Sequence, residues 1–139
     1  MEKKKYYIND CGETIEVFPK LFLYPVRDMI IGKKMENIGI CLDYMEEDVR
    51  VPYCYLTVTF GEFLGKKNSA YIDINHCTDF AKQLLADFGA KDTGLTKRGG
   101  FCEYPLYIFD EKLLRELDGE LYSQYSDQYD TYMKMFEEE

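Results

Sequence analysis

The chain has no tryptophan and one histidine, His76, among its 139 residues. With a single histidine, imidazole acid–base chemistry has one possible position. Its five cysteines, Cys11, Cys41, Cys54, Cys77 and Cys102, contain no C-x-x-C pair. Zinc takes several Cys or His ligands at short spacing, so neither a metal centre nor a cofactor is expected. No apolar run approaches the ~18 residues of a membrane span. The start, MEKKKYYIND, carries cations but no apolar signal region. These absences predict a cytoplasmic protein, off the membrane, with reduced thiols that act as small hydrophobes.

Positive charge is also short. Seventeen Lys and Arg stand against 26 Asp and Glu, a net charge of −9. Phosphate backbones need clustered cations, so direct nucleic-acid binding is disfavoured. An acidic balance suits a protein partner with a basic surface, or more commonly plain solubility.

Apolar residues make up 46% of the chain, enough for a core and too many for disorder. The 13 Tyr and 9 Phe stand out. Tyrosine pairs an apolar ring with a polar tip and suits strand faces and half-exposed surfaces. The length fits one domain, 1–139, burying roughly two-thirds of its unfolded surface.

The first half reads as strands and turns. Runs 6–8 and 13–18 flank Asn9-Asp10-Cys11-Gly12, a hairpin pattern. Runs 21–25 and 29–31 flank Val26-Arg27-Asp28 as a second hairpin, with Pro25 placing the first of them at an edge or an early end. Run 37–45 alternates, and 48–60 follows the turn Glu46-Glu47; the two read as a central antiparallel pair. Run 61–69 reads as a loop, and 70–74 as a short strand.

Then the period changes. Cys77, Phe80, Ala81, Leu84, Leu85 and Phe88 recur at helical spacing, predicting an amphipathic helix over 76–88 with Asn75 as N-cap and Gly89 as stop. Asp79, Lys82, Gln83 and Asp87 are expected to face water. A loop leads to TKRGG and the strand FCEYPLYIF. Pro105 predicts an edge or a bulge there. Asp110 can cap a helix through Leu113, Leu114 and Leu117. Residues 119–139 read as a C-terminal helix whose final glutamates, at the unfavourable end of the dipole, fray it. The expected fold is α+β: an antiparallel sheet of five to seven strands, the 76–88 helix across one face, and C-terminal helices alongside.

Few residues carry chemistry. His76 adjoins Cys77, but neighbours on a helix diverge, so the two make no ready nucleophile–base dyad. Asp73 and Asn75 beside them are more often turn formers than cation ligands. Lys97, Arg98, Gly99 and Gly100, with Tyr104 behind, form the strongest candidate binding loop. Two glycines can turn backbone N–H groups toward an anion, and two cations would assist. The commoner meaning of such a stretch is a glycine turn with solubilising charges. Tyr122, Tyr125, Tyr129 and Tyr132 repeat at 3 and 4 residues, ahead of Phe136. This stripe is a candidate partner site, and more often a face that docks on the parent sheet.

Over 56–118 the chain resembles an uncharacterised bacterial domain family known mostly from integrative and conjugative elements. The resemblance rests on AYIDINHC (70–77), Phe80 and Leu84, Thr93-Gly94, Arg98-Gly99-Gly100-Phe101-Cys102, Tyr104-Pro105-Leu106-Tyr107, and Leu114, Leu117 and Asp118. It departs after Asp118, where Gly119-Glu120-Leu121-Tyr122 replaces a Pro-Glu-Gly-Tyr continuation. The resemblance implies a small accessory protein of mobile DNA and carries no catalytic residues. Such cargo includes inhibitors of host defence, some of them acidic mimics of DNA. The leading expectation is therefore a non-catalytic acidic binding protein of a mobile element, acting on a protein partner such as a restriction or CRISPR nucleoprotein. The alternatives are a nucleic-acid accessory protein using Lys3, Lys4, Lys5, Lys97 and Arg98, and a small enzyme.

Overall fold

The computed structural model describes residues 5–77 and 80–137. Strands β1 (Tyr6–Asp10) and β2 (Glu13–Arg27) form the expected first hairpin. Its turn holds Cys11 and Gly12 at φ of 51° and 83°, the left-handed pair that a tight hairpin of this twist requires. The expected second hairpin is absent. β2 continues as one strand through Pro19 and Pro25 and pairs with β3 (Lys34–Glu46), from Phe18↔Asp43 to Arg27↔Lys34. From Phe18 to Val26 β2 has β3 as its one named strand partner, so this stretch is an edge, where a proline's missing donor costs no ladder bond. Residues 29–31, expected as a strand, lie in the connecting turn.

β3 pairs with β4 (Val49–Tyr55), as its alternation predicts, with a register shift between Leu42 and Asp43. At Gly39 of β3 a Cβ would stand 2.5 Å from the Tyr24 ring and 2.6 Å from the Phe22 ring. Glycine is what lets those rings lie across the strand. The order of this first sheet is β1-β2-β3-β4.

The expected single strand over 48–60 divides at Leu56. The Leu56 amide donates to the Ile40 carbonyl, and its carbonyl accepts from the Asp73 amide, both at 2.9 Å. The chain thus leaves the first sheet and enters a second, ordered β5-β6-β8-β7. Its strands are β5 (Thr57–Val58), β6 (Ser69–Ile72), β7 (Lys91–Gly99) and β8 (Cys102–Ile108). The fold is α+β, but with two antiparallel sheets of four strands in place of one sheet of five to seven. β7 was expected as loop and turn. It is largely exposed and lacks an apolar alternation, so pairing with β8, not its own pattern, makes it a strand. That pairing also corrects the placement of β8, which lies between β6 and β7 instead of at an edge. Pro105 sits opposite Thr96, where the β7 register shifts.

Three helices complete the fold: α1 (Ala81–Asp87), α2 (Glu111–Leu117) and α3 (Gly119–Glu137). α1 is shorter than the expected 76–88. Asp73 holds a turn ahead of it, accepting the His76 amide at 3.1 Å, and Asn75 reaches the Glu103 carbonyl instead of capping. Its apolar face is as predicted: Cys77, Phe80, Ala81, Leu84, Leu85 and Phe88 are all buried. Gly89 closes it at φ 72°, and the Asp110 side chain caps α2. Lys3, Lys4, Asp79, Glu138 and Glu139 lie outside the described residues. One core cluster joins Ile8, Leu21, Ile40 and Leu42 of the first sheet, Ile72 of the second, Leu84 of α1, Leu114 of α2 and Tyr122 of α3.

Candidate binding surface

Lys97 and Arg98 stand on β7, not in a loop. The turn is Gly100-Phe101, between the paired Gly99 and Cys102, with Gly100 at φ 63°. Glycine at the first central position suits this two-residue hairpin. Both cations hold carboxylates. The Lys97 ammonium bonds the Glu62 carboxylate and lies 5.1 Å from the centre of the Phe60 ring. Arg98 stands 3.9 Å from the Glu103 carboxylate. Tyr104 is half-buried, edge-on to Phe60 at 5.3 Å, and Gly99 presses on the same ring. The arrangement is a strand pair clasping an aromatic ring.

Tyr122, Tyr125, Tyr129 and Tyr132 are buried on the inner face of α3. Each hydroxyl finds a partner across a long sequence gap. Tyr122 donates to Asn68 Oδ1 at 2.7 Å, Tyr125 accepts from the Asn68 amide at 2.9 Å, and Tyr129 donates to the Gly65 carbonyl at 2.5 Å. Tyr132 donates to Asp28. Burial, aided by the Asp28 carboxylate, pushes the Tyr132 hydroxyl up to about 12. These rings bind the helix to the body, so the stripe is a docking face within the fold.

His76 and Cys77, adjacent in sequence, part company. The His76 ring lies 2.7 Å from Asp73, while the Cys77 sulfur lies 3.9 Å from Cys54. None of the five cysteines is in a disulfide. Burial, with the Asp43 charge beside it, pushes the Cys41 thiol up to about 11. Among the described residues no group of three or more His, Cys, Asp or Glu is arranged to hold a metal ion.

A different surface gathers at one end of the molecule. Asp28 is buried at the close of β2 and accepts the Ile31 amide at 2.6 Å. The Gly32 amide returns to the Asp28 carbonyl, and the Arg27 guanidinium donates to the Gly32 carbonyl, each at 2.9 Å. Burial alone would raise the Asp28 carboxyl. Hydrogen bonds from Tyr132 and from the Ile31 and Ile30 amides outweigh it and hold the group below the usual carboxylate range. This carboxylate-tied turn presents Met29 and Ile30, 75% and 74% exposed, with Ile31 beside them.

Two further elements are tied to this turn through Asp28 and Arg27. Phe136 stacks edge-on against Tyr132 at 4.9 Å, with Met135 next to it, and both are exposed. Arg27 bonds Gly61 and Phe63, and Glu62 between them takes Lys97 of β7, so the β7–β8 hairpin lies along the other side of that segment. Its tip, Phe101, is fully exposed. A depression of about 360 Å³, lined by Pro25, Val26, Arg27, Lys34, Met35 and Gly61, lies at the foot of the apolar turn. Arg27, Lys33 and Lys34 flank it, all exposed.

A family match spans residues 29–129, most of the chain. The chain belongs to the DUF4313 family, a domain of unknown function. No curated protein and no solved structure matches it. The DUF4313 span opens on Met29 at the apolar turn and takes in Phe101, while Met135 and Phe136 lie past its end. The resembling stretch, 56–118, falls inside it. Sequence reasoning passed over the Met29–Ile31 tip because an apolar triplet reads as strand. The available signal was Asp28 with Gly32 and two lysines around the triplet, a side-chain-tied turn. No helix of the described residues is long and apolar enough to cross a membrane.

Proposed function

We propose that the protein is a non-catalytic binding protein that holds a protein partner at this end. One observation carries the reading. Six of the eleven large apolar side chains exposed among the described residues stand on three elements tied to one another: Met29, Ile30 and Ile31 on the Asp28 turn, Met135 and Phe136 on the helix whose Tyr132 bonds Asp28, and Phe101 on the hairpin whose Lys97 holds Glu62 beside Arg27. Scattered exposed hydrophobes need no explanation, whereas clustered ones on ordered turns mark contact surfaces. The Asp28-tied turn and the two-residue hairpin are already in shape, so little freedom is lost when a partner covers them. The acidic body, at −9, speeds encounter with a basic partner, and the apolar end retains it. Lys97 and Arg98 already neutralise carboxylates, and for that reason the contact is assigned to the apolar end. The resemblance to domains borne on conjugative elements extends the reading to an accessory protein of such an element, its sharpest form an inhibitor of a host defence nucleoprotein.

The test is photo-crosslinking in the producing cell, with a photoreactive residue at position 30 or 101 and a control at 120. A discrete protein adduct from 30 and 101, absent from 120 and lost in an Ile31→Glu/Phe136→Glu variant, is expected. Equal labelling from all three positions would refute the reading. So would tip-dependent sedimentation with anionic-lipid vesicles, which would assign the end to a membrane surface.

A further inference from the structure

The core holds a second feature, separate from the apolar end and independent of the proposed function. Cys54 of β4 and Cys77, just ahead of α1, bring their sulfurs to 3.9 Å across 23 residues of sequence. Cys54 pairs with Leu42 and so faces the core from the first sheet, and Cys77 is 1% exposed in the same cluster. The other thiols are placed differently. Cys41 faces away from Leu42 and contacts Asp43 at 3.5 Å, Cys11 sits in the first turn, and Cys102 opens β8.

We propose that Cys54 and Cys77 are a redox site that closes to an intramolecular disulfide when the protein meets a peroxide. A disulfide needs sulfurs at roughly 2.05 Å. The sulfurs are already 3.9 Å apart, so each has to move by only about 1 Å to reach bonding distance. Cys54 is half-buried, which gives a small oxidant access that Cys77 lacks. The hydrogen bond between the sulfurs eases the first ionisation of the pair and opposes the second. A single thiolate next to a thiol is the state that peroxide oxidation uses.

The chemistry balances in two steps. The pair's single thiolate attacks one peroxide oxygen, the O–O bond breaks, hydroxide leaves, and the attacking sulfur becomes a sulfenic acid. The partner thiol then attacks that sulfur, the S–O bond breaks, and the departing hydroxide takes the thiol proton as water. The protein loses two electrons and the peroxide is reduced to water. The new bond ties β4 to the entry of α1 and shortens the unfolded chain's reach, so the oxidised protein should resist unfolding better than the reduced one.

The test exposes the full-length reduced protein to hydrogen peroxide, alkylates it in denaturant and maps its peptides. A Cys54–Cys77 linked peptide is expected as the main crosslink, with a raised melting temperature that thiol reductant reverses. Oxidation in urea should scatter the pairings. Cys11→Ser should leave the crosslink in place, and Cys54→Ser should remove it. Cys54 and Cys77 recovered as alkylated thiols while Cys11 is oxidised would overturn the proposal. So would a different dominant pairing in the native protein. The wild-type map decides the matter even if a cysteine variant fails to fold.

Discussion

Asn68 offers the sharpest check on how α3 is held. It has a positive φ of 66°, which asparagine tolerates and most residues do not. Its Oδ1 accepts from Tyr122 at 2.7 Å, its amide donates to Tyr125 at 2.9 Å, and its carbonyl accepts the Phe109 amide at 2.8 Å. Both tyrosines are buried, and burial pushes the Tyr125 hydroxyl up, out of reach of ionisation at neutral pH. Asn68→Ala removes the left-handed tolerance, worth roughly 1–2 kcal/mol. It also leaves the Tyr122 hydroxyl without its best acceptor, roughly 1–3 kcal/mol. Glu111 at 3.4 Å is a weaker substitute and softens that loss. The sum is about 2–4 kcal/mol. Asn68→Gly keeps the backbone and loses only the side-chain bond, so it should be milder by about 1 kcal/mol. Tyr122→Phe removes the same bond from the other side. The Asn68→Gly/Tyr122→Phe double variant should therefore cost less than its parts combined, by about 0.5–1.5 kcal/mol. Urea denaturation of the four variants, with midpoints and slopes compared, reads all of this. Equal midpoints for Asn68→Ala and Asn68→Gly would refute the backbone argument. Strict additivity in the double variant would refute the shared bond.

Leu84 is fully buried on α1, so Leu84→Ala should cost about 2–5 kcal/mol, while the exposed Lys82→Ala should stay within about 0.5 kcal/mol. Indistinguishable melts for those two would sink the assignment of the helix face. Asp28 gives a pH signature. Its folded carboxyl is held low, so its stabilisation is present above the unfolded value of about 3.9 and is lost as pH falls through the folded value. The melting-temperature gap between wild type and Asp28→Asn should accordingly be widest near neutrality and narrow in acid. A gap constant with pH would contradict the ionised, hydrogen-bonded carboxylate.

Local pattern was enough for the elements whose stability is local or one-faced. The 3.6-residue spacing of Phe80, Leu84 and Phe88 marked the buried side of α1, and the tyrosine spacing marked that of α3. Cys11-Gly12, Gly89 and Asp110 marked ends, because positive φ and side-chain capping belong to single residues. Only the start of α1 slipped, since Asp73 holds His76 in a turn that competes with helix. Of the site, Lys97 and Arg98 were visible by type, but their pairing with Glu62, 35 positions away, and with Glu103 across the hairpin was not. Tertiary structure alone decided that β2 runs through two prolines along an edge, that the chain changes sheets at Leu56, and that β7 is a strand. It alone made Met29–Ile31 an exposed tip, tied by Asp28 to a tyrosine 104 residues on, and set Cys54 against Cys77. An apolar triplet or a lone thiol has the same local energy in either role. The choice falls to which distant segment arrives beside it, and that is settled by how the whole chain closes its core.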